Sequence, residues 1–386
     1  MSLEVLLTLS KYLSFLSSFA VVGLLLAMSL LTVNTEGSLS PNSLALRRKA
    51  SIIGLIWFFS SFTYIIATLA DILGVSFTDA LDMTTVRSFL SQVLIGRYLL
   101  AQTLVAFLVG FLILRLTRVI PALVLILISL VAIAAPALES HSADGGSHAL
   151  ATGSILLHVA GLTLWAGGLF ALIFISSEDR KYAVPRFSVM ALWAAIAVCL
   201  SGAINAWTRL NFRDAWNSQY GNLVIYKILL SAILIFIGST HRKYIVKKLE
   251  GSRQVYQLLI VEVIVMITAI SVGSWLASSA PPVPKNPRSI DVAEAIAGSP
   301  MLPAPTFKNI LWTYVPDAAF IGLLIFITAL YIRGVVILSK RGDKWPVGRT
   351  ISFALAVAAT DFATSGGLGA YAHFAFSYHM VAHMIL

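Results

Sequence analysis

Ten stretches of about 20 mostly apolar residues, separated by short polar connections, run the length of this 386-residue chain. As helices they are long enough to cross a hydrocarbon core of roughly 30 Å. They fall at roughly 10–33, 52–73, 91–114, 119–138, 150–175, 187–208, 223–241, 254–278, 313–338 and 349–366, with an eleventh beginning near Ala375. A segment in lipid must satisfy its own backbone hydrogen bonds, and the strand-length alternation of a membrane barrel is absent. The chain is therefore expected to be an all-α, polytopic transmembrane bundle of ten complete spans and one truncated one. With 58% hydrophobic and 11% charged residues, an ordinary soluble domain is excluded. The eleventh helix has room for about 12 residues, or roughly 18 Å, too short to span. That shortness predicts a fragment or the product of an early stop. The first apolar run lacks a positive leader and a small-residue cleavage site, so it reads as a retained helix.

The formal net charge of +10 would suggest a nucleic-acid partner in a soluble protein. Here the cations sit in short loops between spans. The first, third, fifth, seventh and ninth loops hold 18 Lys and Arg residues, against 6 in the even loops. The positive-inside rule then predicts a protein of the cytoplasmic membrane with the odd loops in the cytoplasm and the N-terminus outside. The longest polar interval, Ser279 to Asn309, carries seven prolines. It reads as an extended outer linker dividing residues 1–280 from 312–386, with the linker itself at 281–311. A single cysteine, Cys199, rules out an intrachain disulfide and reads as an apolar packing residue.

Ionisable groups within spans are costly and mark pathways or pairing partners. The segment from Glu139 to Leu172 places His141 and His148 in a polar outer loop and His158 two turns inside the fifth span, with Trp165 seven residues on and Gly167 and Gly168 following. Imidazole suits copper, zinc and nickel. Stepped weak ligands are what an ion relay needs, so this stretch reads as the mouth and upper wall of a metal-handling channel or carrier. The glycines would let a neighbouring helix approach closely. Glu262 near mid-membrane, Lys227 near the outer end of its span and Asp361 are further intramembrane candidates, Glu262 and Asp361 as points on an ion path. Asp71 and Arg97 are placed to neutralise each other. Gly366, Gly367 and Gly369 should loosen the tenth helix after Asp361. At the end of the chain His379 and His383 are four apart, hence on one helical face, and Met380 and Met384 repeat the step beside them. Imidazole with thioether suits Cu(I).

Two family resemblances follow from these motifs. Residues of about 139–280 resemble the CopD copper-resistance family of inner-membrane proteins, through the outer His loop, LHVAGLTLWAGGL, RFSVMALWAAIAVCLSGAINA (186–206), YGNLVIYK (220–227) and SSAPP. Residues of about 312–386 resemble the opening of the CtaG family of cytochrome c oxidase assembly proteins, through WTYVPDAAF, ALYIRGVVILSKRGDKWPVGRT, SGGLGAYAHFAFSYHM and VAHMIL. The resemblance implies a copper-related membrane protein fused from both modules, with the second incomplete and copper moving from the outer face toward the cytoplasm. The first expectation is copper transport, with His141, His148 and His158 as successive ligands and Glu262 as a later step. The alternative is copper delivery for oxidase assembly, with Cu(I) held by His379, Met380, His383 and Met384. The partners implied are membrane lipid, an extracytoplasmic copper chaperone and cytochrome c oxidase. A haem-binding electron carrier with membrane histidines as axial ligands is a third reading. No nucleophile–base pairing, phosphate loop or catalytic carboxylate pair emerges, so no enzyme is expected.

Overall fold

The computed structural model describes residues 2–139, 148–210, 212–240, 253–282, 292 and 301–386, all helix, turn or coil with no strand among them. Among the described residues, nine helices are long and apolar enough to cross a membrane. Their outward faces carry bare apolar side chains such as Phe59, Leu127, Val131 and Phe236, 64–72% exposed. Such a surface is stable only in lipid. The tenth expected span is the helix Val347–Thr364, whose 18 residues include Arg349 and Asp361. The chain divides into two compact units, Met1–His141 with His158–Ser201 and Phe212–Pro282, and Ser142–Leu157 with Gly202–Asn211 and Val283–Leu386.

In the first unit α1 (Leu3–Leu26) is the central helix, with Val21, Val22, Leu24 and Leu25 fully buried. Around it stand α2 (Arg47–Leu73), the short α3 (Met83–Gln92), α4 (Leu94–Leu112), α5 (Val119–Ala134), α6 (His148–Leu172), α7 (Ser177–Arg209), α8 (Gln219–Thr240) and α9 (Arg253–Ser278). Lipid tails are as apolar as leucine, so helix association here depends on close packing rather than on water exclusion. Glycines supply it. A Cβ added at Gly23 would overlap the Gly167 carbonyl, and one at Gly167 would overlap the Phe19 carbonyl, so α1 and α6 touch backbone to backbone. Gly168 faces the Phe187 ring of α7 in the same way.

Polar contacts tie both ends of this unit. Arg186 Nη1 donates to the carbonyls of Leu31 and Thr32 at 3.1 and 2.7 Å, serving the orphan carbonyls where α1 ends in a π-helical turn. Arg47 Nη1 donates to the carbonyls of Leu114 and Leu116, and Asn42 to Asp179 at 2.8 Å. The first, third and fifth loops therefore meet at one end of the bundle. At the other end Tyr12 donates to the Ser271 carbonyl and Lys11 to Ser278.

Three expectations need correcting. The sixth span begins at Ser177, ten residues earlier than its apolar run, because Ser176 caps the amide of Asp179 and the helix continues through Pro185. Asp71 and Arg97 do not pair: Asp71 is exposed, while Arg97 Nε donates to the Ser91 carbonyl at 2.7 Å across the break between α3 and α4. The tenth helix does not merely loosen at its glycines but ends at Thr364.

In the second unit the described chain comprises α10 (Phe307–Trp312), α11 (Ala318–Lys340), α12 (Val347–Thr364), α13 (Gly367–Ala372) and α14 (Phe376–Ile385), with the adjoining segments of α6 and α7. Asp317 caps α11 by accepting from the amides of Ala319 and Phe320. Gly153 packs on the start of α11, and a Cβ at Gly367 would overlap the Ile310 carbonyl. Most of the proline-rich interval lies outside the described residues.

Substituting Gly167→Ala should destabilise the bundle by about 1–3 kcal/mol through overpacking. Gly334→Ala, where nothing stands within 4 Å, should be neutral or stabilising by about 0.5–1 kcal/mol. Thermal unfolding of the purified protein in detergent compares the two.

Candidate functional site

Helices α6, α7, α8 and α9 bring the intramembrane polar residues of the first unit together. His158 on α6 is 6% exposed. One turn further on, Gly161 lets α7 come close: a methyl group there would stand 3.1 Å from Val198 Cγ2 and 3.3 Å from the Ala194 carbonyl. This approach puts His158 Nδ1 3.1 Å from the Val198 carbonyl and 3.1 Å from Ser201 Oγ. A carbonyl oxygen only accepts, and the Ser201 hydroxyl already donates to the Ala197 carbonyl at 2.6 Å. Nδ1 therefore carries the proton, and Nε2 presents the lone pair. Toward that lone pair comes Lys227 of α8, its Nζ donating to Nε2 at 3.2 Å. Across from it stands Gly273 of α9, where a methyl group would be in van der Waals contact at 3.4 Å from Nζ.

A histidine that ligates a metal usually donates its other ring N–H to a carbonyl or carboxylate, which fixes both tautomer and orientation. His158 has this arrangement, with an ammonium in the place of the metal. Its donor set is one imidazole: among the described residues no three His, Cys, Asp or Glu side chains converge as a metal cluster.

Seven residues along α6, or about 10 Å, Trp165 lines a cavity of about 150 Å³ together with Phe187, Leu234, Gly238 and Glu262. Glu262 is 3% exposed, and its Oε1 lies 3.7 Å from where a Cβ on Gly238 would be. From Glu262 to Gly273 is roughly 16 Å along α9 at 1.5 Å per residue. The His158–Lys227 contact and the carboxylate cavity are thus two separate polar sites on the same four helices.

The remaining predicted residues are placed as follows. His141 lies outside the described residues, and of His148 only its position at the first residue of α6 is described. In the second unit His379 and His383 are exposed on α14, their ring centroids 4.7 Å apart and nearly perpendicular. Met380 and Met384 are 44% and 84% exposed. Asp361, partly buried, accepts from the Tyr314 hydroxyl at 3.1 Å. Cys199 is half-buried and free.

Sequence reasoning flagged His158 and Lys227 separately, without pairing them. It passed over Ser201, Gly161 and Gly273. The serine was visible as a hydroxyl inside an apolar run, but nothing in its spacing pointed across 43 residues to a histidine.

These features define a polytopic membrane protein with an ionisable interior in its first unit. Comparisons place it more closely. Residues 2–149 match the family described as copper resistance protein D-like, N-terminal domain, and residues 181–276 match copper resistance protein D. Residues 329–386 match the cytochrome c oxidase caa3 assembly factor family. One polypeptide thus carries two regions that match copper resistance protein D families and a third that matches the caa3 assembly factor family. These families are named for copper resistance and oxidase assembly, not for a catalysed reaction. It is 34% identical over 82 residues to an uncharacterized protein of Mycobacterium bovis, Mb0105, covering 21% of this chain and 12% of that protein. The uncharacterized protein MT0111 of Mycobacterium tuberculosis matches to the same extent. Copper transport protein CutJ of Bacillus subtilis is 27% identical over 94 residues, 22% of this chain and 17% of that protein. The match thus spans less than a fifth of the length of each of these relatives. No solved structure matches the chain.

Replacing Ser201 with alanine should cost about 0.5–1.5 kcal/mol, the net worth of one hydrogen bond, while the Val198 carbonyl keeps the ring in place. His158→Leu, which removes the acceptor facing a partly buried ammonium, should cost more. Melting temperatures of the purified variants test this order.

Proposed function

We propose that this chain carries copper ions across the cytoplasmic membrane from the outside inward, with its N-terminus outside and its odd loops in the cytoplasm. The observation that carries the reading is the orientation of His158, whose Nδ1 is fixed by the Val198 carbonyl and whose Nε2 lone pair is directed at a cation. Outer His141 and His148 collect copper, in either case as cargo and not as a resident cofactor. His158 receives it within the bundle, and Glu262 in its cavity is the later station. Single weak ligands suit passage, because an ion must leave each station as well as enter it. Family matches to copper resistance protein D and the likeness to a protein named for copper transport support copper as the ion. The meeting of the Arg47- and Arg186-bearing loops at one end supports the orientation. Residues 1–280 form the transporting part, 281–311 the outer linker and 312–386 the assembly-factor-like part. Cells expressing the chain should accumulate more copper than controls, and His158→Ala should return accumulation to the control level. Undiminished uptake in that variant removes His158 from the path.

A second reading has its own observation: the imidazoles of His379 and His383 stand 4.7 Å apart on an exposed helix face, with Met380 and Met384 beside them. In it the assembly-factor-like part passes Cu(I) to cytochrome c oxidase, in concert with an extracytoplasmic copper chaperone. His379→Ala with His383→Ala should then lower the copper content of the oxidase severalfold while leaving copper uptake unchanged. A fully metallated oxidase in that strain rules the delivery role out.

A further inference from the structure

The position next to His158 Nε2 is already taken. We propose that Lys227 is a tethered occupant of this cation position, displaced by the incoming metal, so that it sets the copper level at which the site fills and excludes cations that bind imidazole poorly. The proposal rests on the reading of His158 as a relay ligand and specifies how that ligand is controlled.

Four observations lead to it. Nδ1 is committed to the Val198 carbonyl and Ser201, so His158 has one lone pair to offer, and Lys227 Nζ holds it at 3.2 Å. A lone pair accepts one donor or one metal, so occupancy by ammonium and by metal is mutually exclusive. The lysine comes from a different helix, α8, on a flexible four-carbon stem that can withdraw without moving the histidine. Finally, Gly273 of α9 faces the ammonium with only a hydrogen, where any other residue would place a carbon in van der Waals contact at 3.4 Å from Nζ.

The consequence is selectivity by exchange. A hard monovalent cation, which prefers oxygen ligands, gains little from a lone imidazole and does not dislodge an ammonium hydrogen-bonded there. A cation that forms a coordinate bond to imidazole nitrogen does. The path is thereby closed by a charge of the same sign as the cargo when copper is scarce, and opened by copper itself.

The test is a Cu(I) titration of the purified full-length chain against a chromogenic Cu(I) chelator. It is made in a His379→Ala, His383→Ala background, so that the second unit's imidazole pair does not contribute. Lys227→Leu should lower the apparent Kd at least tenfold, and adding His158→Ala should abolish that gain. Lys227→Gln, which keeps a polar group at the same depth, should act in the same direction and serves where the leucine variant fails to fold. Should both Lys227 variants bind copper at the parent's affinity or more weakly while His158→Ala still weakens the parent, the tethered-cation proposal is overturned and the relay reading stands. If His158→Ala leaves the parent's affinity unaltered, the relay reading falls and this proposal falls with it.

Discussion

The contact on which the first unit depends is made without side chains. Gly23 of α1 and Gly167 of α6 bring two main chains together where any Cβ would collide with a carbonyl. In water, burial of leucines would drive such packing; in lipid it would not, and close approach between complementary surfaces takes over. Because α1 is the buried centre of the unit, α6, in backbone contact with it, is held in depth and rotation. That helix carries His158, and its face toward α7 is fixed in turn by Gly161 and Gly168. The imidazole therefore meets the Val198 carbonyl because the small residues that follow it along α6 leave no slack.

Much of this architecture was written in the sequence, some of the chemistry was not. Length and apolarity reveal the spans because lipid permits so few alternatives. The Gly167–Gly168 pair was legible as a close-packing surface for the same reason, and both glycines do face neighbouring helices. The ends of helices were less legible. Ser176 starts α7 well before its apolar run, since capping is a local hydrogen-bond event to which hydropathy is blind. Arg97 shows the limit of charge pairing by depth: a nearby backbone carbonyl satisfied it in place of Asp71. The partnership of His158 with Lys227 spans 69 residues and depends on how four helices are rotated. No periodicity in a single chain encodes that.

The two stations differ in kind. At His158 the polar groups are paired to one another at hydrogen-bond distance, and the site is compact. Around Glu262 the wall is mostly apolar, with a cavity in front of the carboxylate. A low-dielectric surround strengthens the attraction of a carboxylate for any cation entering it, whereas an imidazole lone pair binds a cation through a directional coordinate bond. A soft ion moving from the first to the second would exchange a directional bond for a diffuse electrostatic one.

Pro185 gives α7 one more property. Its ring nitrogen has no proton for the carbonyl of Lys181, so the helix is joined across this point by fewer bonds than along its remaining length. Arg180 and Val184 on one side of the proline, and Phe187 and Ser188 on the other, all border the Glu262 cavity. Arg186, the very next residue, is anchored to the end of α1. The first turns of α7 are thus tied on both sides of the missing bond, at Asp179 by Asn42 and at Arg186 by the end of α1. A change of bend at the proline would alter the width of the chamber while the imidazole, about four turns away, kept its place.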